Sequence, residues 1–189
     1  EYGWVTMSLH GAHQVLNALA AAAVGFGMGL DMETVTRRLA EAEPRSKWRM
    51  EVSERSDGLL VINDAYNANP ESMRAGLAAL AAMGDGRGTW AVLGEMREIG
   101  PTTAAEHAAI GARTQELGID HIVAVGEGAR SLAEGAKGGP SEVLWLPDPA
   151  SALDHVARHV HPGDAVLIKA SRSIGLDVIA AGLLEGRSE

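Results

Sequence analysis

Thr89-Trp90-Ala91-Val92-Leu93-Gly94-Glu95-Met96-Arg97-Glu98-Ile99-Gly100 is the stretch that decides the fold class. Thr89–Leu93 is a short run, apolar after its first residue and without alternation, the pattern of a strand covered on both faces. A polar loop follows. Thr103-Ala104-Ala105-Glu106 then has the spacing of a capping box, opening a helix that carries Ile110 and Leu117 and closes at Gly118. The same alternation recurs on both sides. Strands are expected near His121–Val125, Val143–Leu146 and Asp164–Ile168. Asn69-Pro70 starts a helix with Met73, Leu77 and Leu80 on one face and Gly84 at its end. Asp148-Pro149 opens another with Leu153, Val156 and Val160, and the last holds Leu176, Ile179 and Leu183. Strand-helix alternation of this kind predicts an α/β fold with a mostly parallel sheet and helices on both faces.

Working toward the N-terminus, Met50 and Val52 alternate with Glu51 and Ser53, and Ser56-Asp57-Gly58 turns the chain into Leu59–Ile62. That predicts a leading β-hairpin. Two helical patterns precede it. The first, Ala12–Gly27, is nearly apolar all round and is expected to be buried. The second, Asp31–Ala42, has Asp31 as N-cap, Met32, Val35 and Leu39 on one stripe, and Pro44 as its stop. A domain boundary is expected near Lys47, dividing residues 1–47 from 48–189, with a hinge at Pro44–Lys47.

Composition narrows the function. The 189 residues, 46% hydrophobic and 22% charged, suit one folded domain or one domain with a piece of another. Lys and Arg number 16 against 25 acidic residues, a net charge of −9, which argues against nucleic acid as a partner, so any anion needs a local site. No cysteine is present, which removes disulfides, thiolate metal sites and cysteine nucleophiles. No apolar stretch approaches a membrane span, and no charged leader precedes an apolar region. The expectation is a cytoplasmic protein without membrane contact. The chain begins at Glu1, in mid-pattern, and reads as part of something longer.

Ligands of open α/β sheets bind beyond the carboxyl ends of the strands. Four polar segments are expected there: Asn63–Pro70, Gly94–Glu98, Gly126–Gly128 and Lys169–Ser173. In the first, Asp64 suits a ribose hydroxyl pair, whereas Asn69 before Pro70 is adequately explained as an N-cap. In the last, Lys169 and Arg172 flank Ser171 at a helix start and form a candidate anion site. Gly126-Glu127-Gly128 is read as structure. His107, on the first turn of its helix, divides evenly between function and surface. His155, His159 and His161 are read as solvated rather than metal ligands, and no metal site is expected in the chain. His13 and Asn17, four apart, share one helix face. No Walker phosphate loop, dinucleotide fingerprint, nucleophile elbow or H-E-x-x-H motif occurs. The residues alone stop at a nucleotide- or anion-binding α/β domain.

Four motifs in order then resemble the Mur ligases: Gly11–Ala21 (GAHQVLNALAA), Asn63–Pro70 (NDAYNANP), Leu93–Gly100 (LGEMREIG) with His107, and Lys169–Ser173 (KASRS). The NDAYNANP string is the most specific. It resembles the branch that joins D-alanyl-D-alanine to UDP-N-acetylmuramoyl-tripeptide with ATP through an acyl phosphate. The resemblance implies that residues 1–47 end a central ATP-binding domain and that 48–189 form a Rossmann-like C-terminal domain. Magnesium would be held mainly by residues not in this chain, and the chain alone would be inactive. It also implies roles. Asn17 and His13 would face the nucleotide, Arg49 and Lys169 would act catalytically with Arg49 on the phosphates, and Asp64 would bind ribose. Tyr66, Asn67, Asn69, Glu95, His107, Ser171 and Arg172 would face the substrates. Gln14 and Glu95 depart from the family pattern. Two alternatives share the fold class: a stand-alone nucleotide- or anion-binding regulatory module, and a folylpolyglutamate synthase-like ligase, which gives no reason for Tyr66-Asn67-Ala68-Asn69.

Overall fold

The computed structural model describes residues 3–8, 13–42 and 47–186; the side chain of His13, the Gly11-Ala12 pair and most of the expected hinge lie outside the described residues. The chain divides into two compact units, Glu1–Lys47 and Trp48–Glu189.

In the first unit, α1 (His13–Gly27) pairs with α2 (Met32–Ala40). Asp31 caps α2, accepting from the Thr34 N–H at 2.7 Å. The expectation that α1 is buried is corrected. Leu16 is 70% exposed and Val15, Leu19 and Val24 also face outward, because the one short helix paired with α1 can cover only part of an all-apolar surface.

In the second unit, β1 (Glu51–Glu54) and β2 (Leu60–Asn63) form the hairpin, joined by β3 (Thr89–Gly94), β4 (His121–Val125), β5 (Glu142–Leu146) and β6 (Ala165–Lys169). The order is β1-β2-β6-β3-β4-β5, antiparallel at the hairpin and parallel elsewhere. Side-chain alternation sorts the strands into two cores. Ile62, Ala91, Leu93, Ile122 and Leu167 pack under α3 (Pro70–Met83), α4 (Thr103–Glu116) and α5 (Arg130–Gly135). Val61, Trp90, Val92, Val123 and Ile168 face α6 (Pro149–His159) and α7 (Asp177–Glu185). Leu77, Leu93, Ile110 and Ile122 are at most 1% exposed, each contributing about 1.5–3 kcal/mol.

Three local readings change. The short α5 was not expected, since Gly126, Gly128 and Gly135 obscure its pattern; α4 can lie against it because no side chain could fit at Gly111, whose added Cβ would meet the Leu132 carbonyl. The capping box at Thr103 does not form: Thr103 Oγ1 donates to the Gly100 carbonyl at 2.6 Å, while Glu106 pairs with Arg74 at 2.9 Å. A capping box stands instead at Asn69 and Ser72 of α3. Finally, β6 runs one residue further than expected, which carries Lys169 into the sheet.

Candidate functional site

The carboxyl ends of β2, β3 and β6 release three loops to one side of the sheet. Hydrogen bonds bind these loops together. Asp64 N–H donates to the Ile168 carbonyl at 2.9 Å, and Ser171 N–H to the Glu95 carbonyl at 3.0 Å. A cleft of about 640 Å³ opens there, lined by Asn67, Arg97, Glu98, Ser171, Arg172 and Ser173. Of the residues read from the sequence, Asn67, Ser171 and Arg172 lie in it. Arg97, Glu98 and Ser173 were missed as sites, although their segments had been placed at strand ends, which was the signal available.

Behind the cleft wall is an ion pair. Lys169 Nζ donates to Asp64 Oδ2 at 2.5 Å and to the Asn67 carbonyl at 2.9 Å, with the two side chains 2% and 13% exposed. The lysine stem runs over Gly76 of α3, where an added Cβ would come within 3.2 Å of its Cδ. Burial, the largest influence, holds the Lys169 pKa below its ordinary 10.5; Asp64 acts in the opposite sense by charge and hydrogen bond, and Arg49 lowers it further. Its ammonium has two acceptors in the loop between β2 and α3 and ties that loop to the end of β6, and Lys169, expected as a catalytic cation, is not among the residues lining the cleft.

Asp64 is likewise engaged. Its Oδ1 accepts from the Met50 N–H at 3.0 Å, so a ribose would add a second bond to oxygens already in use rather than meet a free carboxylate. That bond holds the loop Trp48–Met50, in which Trp48 and Met50 have φ of 62° and 47°, values that cost a non-glycine residue energy unless its surroundings impose them. Tyr66 N–H adds a bond to the Trp48 carbonyl at 3.0 Å. The strained loop presents Arg49. Its guanidinium lies 4.4 Å from the centre of the Tyr66 ring, and that of Arg172 lies 5.5 Å from the same ring and 5.8 Å from Trp48. Neither arginine has a carboxylate partner among the described residues, whereas Arg97 pairs with Glu95 at 3.2 Å. Two positive charges around one aromatic ring are a place for an anion.

The remaining expected residues are placed as follows. Asn69 caps α3, its Oδ1 accepting from Ser72 N–H at 2.8 Å. Ser171 is buried and its Oγ accepts from Arg97 N–H at 2.9 Å. Glu95 lies over Gly128 and is occupied by Arg97. His107, divided in the sequence between function and surface, is 0% exposed, its Nε2 2.8 Å from Met96 N and its Nδ1 2.7 Å from the Thr103 carbonyl, so both ring nitrogens have internal partners. In the first unit, Asn17 is exposed and donates to Gln14 Oε1 at 3.0 Å. No described helix is long and apolar enough to cross a membrane.

Known proteins resemble this chain over nearly its whole length. The family model described as "Mur ligase, glutamate ligase domain" matches residues 48–172. The UDP-N-acetylmuramoyl-tripeptide–D-alanyl-D-alanine ligase of Mycobacterium leprae is 44% identical over 194 residues, covering 93% of this chain and 37% of that protein. The Escherichia coli enzyme of the same name is 28% identical, covering 96% and 39%. Among solved structures, MurF from Acinetobacter baumannii has a TM-score of 0.85 at 32% identity, covering 97% of this chain and 40% of that one. MurF from Thermotoga maritima, in complex with ADP, has a TM-score of 0.80 at 26% identity, covering 96% and 40%. The chain thus spans about two-fifths of the length of the relatives it matches.

Proposed function

The chain belongs to the Mur ligase family, and from that premise we propose that residues 48–189 form the C-terminal domain of an ATP-dependent ligase that adds D-alanyl-D-alanine to UDP-N-acetylmuramoyl-tripeptide in peptidoglycan precursor synthesis. Residues 1–47 then end the ATP-binding domain, whose remainder would cover the exposed side chains of α1. The names of the relatives support the reaction. The observation that carries the reading is the pair of guanidinia at Tyr66 beside a cleft of about 640 Å³ with polar walls.

In this reading the tripeptide carboxylate attacks the γ-phosphorus of ATP and ADP leaves. The dipeptide amine then attacks the acyl carbon and phosphate leaves, giving the new amide. Arg49, presented by its strained loop, stabilises charge on the transferring phosphoryl group. Arg172, with the Ser171 hydroxyl and Asn67, holds the dipeptide carboxylate, so that the amine is positioned rather than free. Lys169 and Asp64 keep the loops that carry these groups in register. The family's chemistry implies magnesium with the nucleotide. Among the described residues no three His, Asp or Glu side chains converge as metal ligands, so in this reading the ion is held mainly by the nucleotide phosphates and by residues of the ligase outside this chain.

Phosphate release by the intact ligase, with ATP and UDP-N-acetylmuramoyl-tripeptide present, should be sustained only when D-alanyl-D-alanine is added, with the pentapeptide product seen by mass spectrometry. The 189-residue chain alone should release none. Sustained release by the intact protein without dipeptide, or turnover by the isolated chain, refutes the assignment.

A further inference from the structure

Three successive residues after β3 have their backbone polar groups tied to two side-chain-bearing neighbours. The Glu95 carbonyl accepts from Ser171 N–H at 3.0 Å, Met96 N–H donates to His107 Nε2 at 2.8 Å, and Arg97 N–H donates to Ser171 Oγ at 2.9 Å. Immediately downstream the chain doubles back, with φ of 64° at Glu98 and 73° at Gly100. Arg97 and Glu98 are the residues this segment gives to the cleft.

The chemistry of the partners fixes the state of the imidazole. A carbonyl only accepts, so the Nδ1 facing Thr103 carries hydrogen; an amide N–H only donates, so the Nε2 facing Met96 carries none. The ring is neutral, in the Nδ1–H tautomer, and fully buried. A leucine at this position of α4 would fill the same core but offer no acceptor to the Met96 N–H. What the imidazole adds is an acceptor for one buried amide, which would otherwise be left without a partner.

We propose that His107 is a positioning residue of the ligase: it holds the Glu95–Glu98 wall at Met96 and so sets where Arg97 and Glu98 stand in the cleft. This rests on the reading of the cleft as the dipeptide site. Arg97, exposed but paired with Glu95, and Glu98 put opposite charges on one short segment, and the Glu98 carboxylate suits the amino end of a dipeptide whose carboxylate Arg172 holds. A loose wall would separate these two charges from the groups that Ser171 and Arg172 supply from the other loop.

The test has a part independent of activity. In the 189-residue chain, nitrogen chemical shifts of His107 should report an unprotonated Nε2, and the Met96 amide should exchange with solvent slowly. His107→Phe, which keeps the volume and removes the acceptor, should speed Met96 exchange by about 10- to 100-fold. His107→Gln, whose Oε1 reaches the place of Nε2, should restore most of the protection. In the intact ligase, His107→Phe should raise the KM for D-alanyl-D-alanine well above its effect on the KM for ATP, again with recovery in the glutamine variant. A protonated Nε2 in the unsubstituted chain, Met96 exchange untouched by His107→Phe, or no recovery with glutamine overturns the proposal. So does an equal rise in both KM values. If the phenylalanine variant fails to fold, the tautomer and the glutamine variant still decide. An unsubstituted ligase that does not use the dipeptide would defeat the functional reading instead, leaving the Met96 tie to be judged by exchange.

Discussion

Replacing Lys169 by methionine tests the central structural argument, that this residue is an internal tie and not a catalytic cation. Methionine keeps an unbranched stem over Gly76 but removes the ammonium from Asp64 and from the Asn67 carbonyl. With side-chain exposures of 2% and 13%, the pair is shielded on both sides, and removing one partner of such a pair costs about 3–5 kcal/mol because the other charge stays buried and uncompensated. Asp64 retains the Met50 N–H, so the lower half of that range is expected. Unfolding in urea can be followed by tryptophan fluorescence, since Trp48, Trp90 and Trp145 all lie in the second unit. At an m-value near 2 kcal/mol/M, the loss lowers the midpoint by roughly 1.5–2 M. Lys169→Met with Asp64→Asn removes both charges and keeps an oxygen for Met50, and should recover most of the loss, a coupling of ~2–4 kcal/mol. The pair also has a pH signature. The native pKa of Lys169 lies below the unfolded 10.5, so its contribution to stability is present above 10.5 and is lost as pH falls through the native value. The methionine variant lacks that dependence. A Lys169→Met chain within about 0.5 kcal/mol of the unsubstituted one, as for a surface change, would refute the reasoning.

Arg172→Ala in the intact ligase should weaken use of D-alanyl-D-alanine by roughly 10- to 150-fold, the equivalent of ~1.5–3 kcal/mol, with little change in the KM for ATP; the reverse pattern would reassign this arginine to the nucleotide. Asn69→Ala should cost about 1 kcal/mol in urea unfolding, and Asn69→Asp much less, because the side chain caps α3; an alanine variant of unchanged stability and altered dipeptide KM would return Asn69 to the substrate. Burial, followed by the neighbouring His159, holds the His155 pKa below 6.5, Asp154 opposing while His121 and Arg158 add to the fall. Its share of stability is therefore present above pH 6.5 and lost as pH falls through the lowered native value, and a proton-NMR titration of His155 with a midpoint at or above 6.5 would contradict this.

How much of this was legible in the sequence depends on what each residue had to reveal. The sheet was, since Thr89–Leu93 and its counterparts are continuous apolar runs and the helices between them carry one apolar face each. The end of the sheet at which polar loops gather was also legible, from topology alone. What escaped was the direction of single side chains. Lys169 looked like a loop cation because it follows Ile168, the end of an apolar run; yet β6 continues one residue, and period two turns Lys169 toward α3 alongside Ala165 and Leu167. His107 divided between function and surface because the helix start near Thr103 is polar and close to the strand-end loops, whereas its ring turns inward to an amide that no sequence pattern announces. Asp64 shows the same limit: a carboxylate at a strand end fits a sugar, and only the positive φ at Trp48 and Met50 shows what else needs its oxygens. Strand ends concentrate polar residues for two reasons, to meet a ligand and to hold the loops that meet it. In the proposed reading Asp64, Asn69, His107 and Lys169 serve the second, and they hold Arg49, Asn67, Arg97 and Arg172 for the first. A substitution in the holding set should therefore register in folding or exchange measurements as well as in turnover, and one in the held set in substrate kinetics alone.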